Sequence, residues 1–148
     1  MNIVDKKLVP IPPQIVKDSI LLNLAFAYFS VGKQLEQKTK CSQTRGFIMS
    51  TLRGGVALNP NQIAKVLGFD RTVVHRAIKT MIREGLLAQK RAATGRALPV
   101  QLTAKGNKYR DQLIKERRNA EEKLRETLNP EEIATLIRLL NQIAEFKF

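Results

Sequence analysis

Between Arg71 and Glu84 the cationic side chains fall into one stripe. At about 100° per residue, Thr72, His75, Arg76, Lys79 and Arg83 share one side of a helix, while Val74, Ala77, Ile78 and Met81 share the other. The polar side is basic and almost free of acids, which suits a polyanion. A duplex major groove about 12 Å wide admits one α-helix; the first turns of such a helix reach base edges and later residues meet phosphates. Arg71, Thr72, His75 and Arg76 are therefore placed to read, and Lys79 and Arg83 to hold. An arginine fork grips guanine O6 and N7 together, and such a pair discriminates by about 1–3 kcal/mol. The competing reading is an ordinary solvated helix face, but solvated faces usually interleave both signs.

The charge balance points the same way. The 148 residues carry 26 Lys+Arg against 13 Asp+Glu, a formal +13, and a strong basic excess implies a polyanionic partner. The excess is concentrated. Residues 43–103 hold Arg45, Arg53, Lys65, Arg71, Arg76, Lys79, Arg83, Lys90, Arg91 and Arg96 against only Asp70 and Glu84, whereas residues 1–42 and 104–148 are nearly balanced. Catalysis is poorly supplied: with one histidine, one cysteine and no metal-ligand, nucleophile-elbow or phosphate-loop pattern, no enzyme, metal or cofactor is expected. A single cysteine, Cys41, forms no intrachain disulfide, and no secretory leader pattern opens the sequence, which points to a cytoplasmic protein. The most apolar stretch, Ile20 to Val31, is interrupted by Asn23 and falls short of the roughly 20 residues a bilayer span needs. It reads as a buried helix, and no membrane partner is expected.

The elements that must carry the basic stripe are punctuated clearly. Leu58-Asn59-Pro60-Asn61-Gln62-Ile63 and Leu128-Asn129-Pro130-Glu131-Glu132-Ile133 each combine an Asn cap, a Pro at the first helical position and Gln or Glu three after the cap, so helices are predicted to start at 60 and 130. The helix from Pro60 should end at Leu67, with Gly68 as a left-handed C-cap; Asp70 then caps the helix from Arg71 to about Glu84, which Gly85 terminates. That is a helix-turn-helix spacing, and Asn61 and Gln62, at the start of its first helix, are counted with the DNA-binding set. Leu86 to Arg91 and Arg96 to Leu102 read as two short strands around a small turn, with Lys90, Arg91 and Arg96 at or beside the tip of the hairpin. The hairpin could lie along the backbone and insert Arg96 into a minor groove; the alternative for Arg96 is a structural salt bridge. Pro99 lacks an N–H donor and must take an unpaired edge position or a bulge.

The flanking segments read as helices. The first should start just after Pro10, Pro12 and Pro13 and run to about Thr39. Leu21, Leu24, Tyr28, Val31 and Leu35 keep the spacing of a helix–helix seam, and Leu22, Phe26 and Phe29 line an adjacent face. A helix apolar on both sides needs two covers, one of them expected to be another chain; the alternative is a helix wrapped by its own monomer. From Ala104 to Thr127 a long charged helix has the narrow seam Tyr109, Leu113, Ala120, Leu124 and the ion pairs Asp111–Lys115 and Glu121–Arg125. The last helix has Ile133, Leu136, Ile137, Leu140, Ile143 and Ala144 on one face, which it should bury. Together the two ends look like a dimerisation layer, with Leu21, Leu24, Tyr28, Leu136, Leu140 and Ile143 as its seam.

The run Leu58 to Gly68, then Thr72-Val73-Val74-His75-Arg76, then Glu84-Gly85-Leu86-Leu87, and finally Leu102-Thr103-Ala104-Lys105-Gly106 resembles the winged helix-turn-helix regulators of the MarR family. The resemblance covers nearly the whole chain. It implies a triangular homodimer on pseudo-palindromic duplex DNA, released by a small phenolic or lipophilic ligand or by oxidation. One departure is that the wing of that family usually shows Asp-x-Arg, where Thr94-Gly95-Arg96 stands here; the arginine is kept and the aspartate that braces it is not.

The expected fold class is therefore mainly α (α+β), a winged helix-turn-helix with an N-terminal dimerisation helix in residues 1–42, the DNA-binding region in 43–103 and C-terminal dimerisation helices in 104–148, all in one structural unit. The expected function is a sequence-specific, homodimeric, double-stranded-DNA-binding transcription regulator, a repressor responsive to a small aromatic or lipophilic effector. An effector pocket is placed where the first helix meets the winged body, near Phe26, Phe29 and Phe47, although aromatics at helical spacing are more often simply core. Two alternatives stay open. One is an architectural protein coating duplex DNA without reading it. The other is a regulator of the same fold that senses peroxide through Cys41, whose neighbours Lys38 and Lys40 would favour a thiolate.

Overall fold

The computed structural model describes residues 17–90 and 98–147. It is mainly helical: α1 (Ile20–Thr39), α2 (Gln43–Thr51), a 3₁₀ turn (Arg53–Gly55), α3 (Pro60–Leu67), α4 (Arg71–Arg83), strands β1 (Leu87–Gln89) and β2 (Val100–Leu102), α5 (Ala104–Arg125) and α6 (Pro130–Glu145). The chain divides into two compact units, Met1–Gln34 and Leu35–Phe148, the division falling within α1.

The described part of the first unit is a helical segment. Ser19 interrupts it, its hydroxyl accepting a hydrogen bond from the Leu22 N–H at 3.2 Å, so the continuous helix opens at Ile20. The predicted start after Pro13 lies outside the described residues. Along α1, Leu21, Phe26, Tyr28, Phe29 and Val31 are exposed and Leu24 is half-buried. The end of α1 falls where the spacing places it. The Lys40 backbone, at φ 54°, turns out of the helix while the Thr39 hydroxyl donates to the Leu35 carbonyl at 2.7 Å.

The second unit is built around α2, α3, α4 and the sheet. Ser42 caps α2, and the Glu36 carboxylate accepts from the Gln43 N–H at 2.8 Å. Both Asn caps form as the sequence spacing requires: the Asn59 side chain accepts from the Gln62 N–H and Asn129 from the Glu132 N–H, each at 2.9 Å, with Gln62 and Glu132 answering the cap N–H. Ile48, Met49 and Leu52 of α2 and its end meet Ile63 of α3, Val74 and Met81 of α4, and Val100 of β2 in a core where each is fully buried. Burying an aliphatic side chain of this size stabilises by about 1.5–3 kcal/mol, so this cluster holds the three helices in fixed relation. No polar or charged side chain is buried among the described residues.

The strands are antiparallel with Leu87 opposite Leu102, Ala88 opposite Gln101 and Gln89 opposite Val100. They are shorter than the sequence suggests, and the hairpin tip lies outside the described residues. Pro99 stands just before β2; its carbonyl accepts from the Lys90 N–H at 2.8 Å, and its missing N–H falls at the position next to the ladder. On the other side of β2, Leu58 exchanges both backbone hydrogen bonds with Val100, at 3.1 and 2.8 Å. The segment before α3 thus acts as a one-residue third strand, which no local pattern announced.

One expectation for the C-terminal helices is corrected. Asp111 pairs with Arg110 at 2.9 Å rather than with Lys115, because the neighbouring guanidinium reaches the carboxylate directly; Glu121–Arg125 forms as expected at 3.1 Å. The apolar face of α6 is not buried within the chain, where Leu136, Ile137, Leu140 and Ile143 all stay exposed and none of the helix's residues is buried. Leu124, at the end of the α5 seam, is exposed as well, while Leu113 is buried and Tyr109 half-buried.

Candidate nucleic-acid interface

The helix-turn-helix is assembled from local signals. Gly68 takes the left-handed conformation, φ 66°, that closes α3 and that a side chain rarely adopts. Phe69 follows and packs edge-on against Phe47, with ring centroids 5.8 Å apart, anchoring the turn to α2. The Asp70 carboxylate then accepts from the Thr72 and Val73 N–H groups at 2.8 and 3.2 Å, and Gly85 (φ 73°) ends α4.

The amphipathic division of α4 is as the spacing requires. Val74, Ile78 and Met81 are buried, whereas Arg71, Thr72, His75, Arg76, Lys79 and Arg83 are all exposed. The two acids of the central region are both engaged elsewhere. Asp70 is turned onto the helix N-terminus, and Glu84 pairs with Arg45 of α2 while its own carbonyl accepts from Lys105 Nζ at 2.7 Å. Among the described residues no carboxylate forms an ion pair with Arg71, Arg76, Lys79 or Arg83.

Two open hollows flank α4. One, of about 450 Å³, is lined by Pro60, Thr72, His75, Arg76, Ile78, Lys79, Ile82 and Gln89. The other, of about 490 Å³, is lined by Asn59, Asn61, Gln62, Ala64, Lys65, Gly68, Phe69 and Arg71. The structure thus brings Asn61 and Gln62 beside Arg71, and Thr72, His75, Arg76 and Lys79 onto one surface. Asn61 Oδ1 lies 3.2 Å from His75 Nε2. Gln62 is committed to the α3 capping box, and Arg83 donates to the Thr80 hydroxyl at 3.3 Å. Lys90 is exposed at the end of β1; Arg91 and Arg96 lie outside the described residues. Lys65 and Gln89 were not among the sequence-selected positions. Gln89 was not legible from the strand pattern: it is two residues from the buried Leu87 and so shares its face, and it is exposed at the end of β1.

Cys41 occupies different ground. It is 5% exposed and lines a cavity of about 130 Å³ with Leu35, Glu36, Thr39, Ser42, Gln43, Phe47, Leu113 and Arg117. Burial pushes its thiol pKa up, against the lowering effects of a hydrogen bond with Tyr109 and the charges of Arg45 and Arg117. This reverses the expected direction. Lys38 is engaged with Glu116 at 3.0 Å and Lys40 is exposed, so desolvation of the sulfur outweighs any nearby cation. Of the three aromatics considered for a pocket, Phe47 is half-buried beneath the Arg117 guanidinium, 5.7 Å from its ring centroid. Phe26 and Phe29 are exposed on α1, Phe29 meeting Tyr28 edge-on at 5.6 Å. Among the described residues no group of His, Cys, Asp and Glu is arranged to hold a metal ion, and no helix is long and apolar enough to cross a membrane.

No protein-family model and no curated protein matches the sequence. Solved structures do match the fold. The repressor CouR bound to p-coumaroyl-CoA superimposes with a TM-score of 0.82 at 20% identity, covering 93% of this chain and 100% of that one. A mutant of E. coli MarR complexed with operator DNA gives 0.75 at 18% identity, over 87% of this chain and 96% of the other. The S. aureus MepR–DNA complex gives 0.73 at 18% identity, over 86% and 96%. The chain has the winged helix-turn-helix fold of the MarR-family regulators.

Proposed function

We propose that this protein is a homodimeric transcription regulator that binds an inverted-repeat duplex operator and represses until a small effector releases it. The observation that carries the reading is the outer face of α4: exposed, cationic and without a paired acid among the described residues. Arg71, Thr72, His75 and Arg76 lie in its first turns and read base edges, while Lys79 and Arg83, with Lys65 and Lys90 nearby, meet phosphates. Arg91 and Arg96, which fall between the two strands in the sequence, are assigned to the backbone or minor groove. The likeness to MarR and MepR solved with DNA supports the same reading.

Self-association is supported by the apolar residues each chain leaves exposed. Leu136, Leu140 and Ile143 on α6 and Leu21 and Tyr28 on α1 are costly to hydrate, and a second copy is the cover assigned to them, with Leu24 beside them. Two copies related by a two-fold axis place their reading helices about one DNA turn apart, ~34–36 Å, or a multiple of it. For the effector, the cavity beside Phe47 has about the size that holds one benzene ring, so a monocyclic aromatic suits it. CouR, solved with p-coumaroyl-CoA, supports ligand control.

Selection of bound duplexes from a random pool tests specificity, symmetry and half-site spacing together. An inverted repeat is expected, and a footprint without two-fold symmetry would count against the proposal. Binding should fall steeply with salt, since neutralising ~6–10 phosphates loses about 10³–10⁵ in affinity between 50 and 200 mM. The concentration of ten cations against two acids in residues 43–103 also suits an architectural protein. That reading predicts equal affinity for operator and random DNA, which competition with unlabelled random duplex decides.

A further inference from the structure

We propose that His75, held by Asn61, reads an amino base in the major groove: adenine or cytosine on the contacted strand, against guanine or thymine. The inference rests on the duplex-reading function proposed above and adds to it the chemical class of the base edge. His75 is the chain's one histidine and sits exposed in the second turn of α4. Its Nε2 lies 3.2 Å from Oδ1 of Asn61, in the first turn of α3. An amide oxygen only accepts, so Nε2 carries the hydrogen and donates it. In the neutral ring Nδ1 then holds a lone pair and is an acceptor.

This sets His75 apart from its neighbours. Arg71, Arg76 and Lys79 can only donate, and so can read only acceptor edges such as guanine O6 and N7 or thymine O4. The Thr72 hydroxyl and the Gln89 amide serve either role. His75 is the group on this face whose hydrogen-bonding sense is set by a second residue. In the major groove the donors are adenine N6 and cytosine N4, and each base pair offers one of them, on one strand. An acceptor at a fixed place therefore distinguishes a base pair from its reverse. It separates A·T from T·A and C·G from G·C, while tolerating exchange of adenine for cytosine. Asn61 is the positioning residue, acting through the tautomer.

The experiment uses the intact protein and the operator it selects from a random duplex pool. At each half-site position, four duplexes differing in one base pair are compared by competition for wild type, His75→Ala, Asn61→Ala and Asn61→Asp. One position should favour amino over keto bases on one strand roughly three- to tenfold, the worth of one hydrogen bond. His75→Ala should abolish that preference there and leave the other positions unchanged. Asn61→Ala should blur it, and Asn61→Asp, which still accepts from Nε2, should restore it at lower overall affinity. In parallel, ¹H–¹⁵N spectra of the histidine ring in the free protein at alkaline pH should show Nε2 protonated and Nδ1 bare, with Asn61→Ala mixing the tautomers. A ring protonated at Nδ1, or a preference profile identical in wild type and His75→Ala, overturns the inference while leaving duplex reading intact. A wild-type protein that selects no sequence overturns both.

Discussion

Gly106, in the first turn of α5, lies directly against Leu86: a Cβ there would overlap the Leu86 carbonyl oxygen and come within 3.1 Å of Leu102 Cδ2. The same carbonyl accepts from the Thr103 N–H at 3.1 Å, and the Thr103 hydroxyl donates to the Gly85 carbonyl at 2.6 Å while accepting from the Gly106 N–H at 2.9 Å. Here the end of α4, the entry to β1 and the start of α5 are fastened together. The obstacle is backbone and cannot rotate away. Gly106→Ala should therefore destabilise the fold by about 1–3 kcal/mol, the usual cost of overpacking, seen as a lower denaturation midpoint at fixed protein concentration. An unchanged midpoint would show that this packing yields.

Arg76 and Lys79 are neighbours on one helix face with different assigned roles. Arg76→Gln should erode discrimination between operator and mismatched duplexes by about 1–3 kcal/mol. Lys79→Gln should weaken every sequence about equally and reduce the slope of log affinity against log salt by about one for each phosphate left without its cation. Identical behaviour of the two variants would refute the division between reading and holding.

Leu140 lies on the exposed apolar face of α6. A carboxylate at the centre of a covered apolar seam would be buried unpaired, so Leu140→Glu should convert a dimer to a monomer in sedimentation equilibrium while far-ultraviolet circular dichroism stays unchanged. Operator affinity should fall with the loss of the second reading helix. A dimer that survives this change has its interface elsewhere.

Cys41 should alkylate more slowly at neutral pH than a free thiol, because only the thiolate attacks and burial disfavours it. Tyr109 is likewise pushed up, by desolvation first and then by its neighbour Cys41. Both groups favour their neutral forms in the folded chain, so their stabilising contribution is complete below the unfolded pKa and is lost as pH rises through the folded one. Unfolding midpoints should thus decline through the alkaline range above about pH 9, and Cys41→Ala should remove part of that decline. Alkylation faster than that of glutathione would restore the peroxide-sensing reading.

The Asp70 carboxylate caps α4 through two N–H groups at 2.8 and 3.2 Å. Asp70→Ala should cost about 1 kcal/mol of stability, read as a lower thermal midpoint. The variant also removes a negative charge from the end of α4 proposed to face DNA, so nonspecific duplex affinity should rise even as stability falls. A cap without a binding role would move only the first quantity.

What the sequence by itself determined is what lies within a few residues along the chain. The capping boxes at Asn59 and Asn129, the C-cap at Gly68, the Asp70 cap and the inward set Val74, Ile78 and Met81 depend on local hydrogen bonds and helical period, and all were legible. The helix-turn-helix and the cationic stripe follow from them directly. The tertiary structure decided the rest. Glu84 meets Arg45 across 39 positions, Leu58 pairs with Val100, and Asn61 reaches His75 across the turn; none of these distances is written in spacing. Cys41 shows the reason most plainly. Its sequence neighbours Lys38 and Lys40 suggested a lowered pKa, but an ionisable group responds to the dielectric and charges around it in space, and folding put it under Phe47, Leu113 and Tyr109.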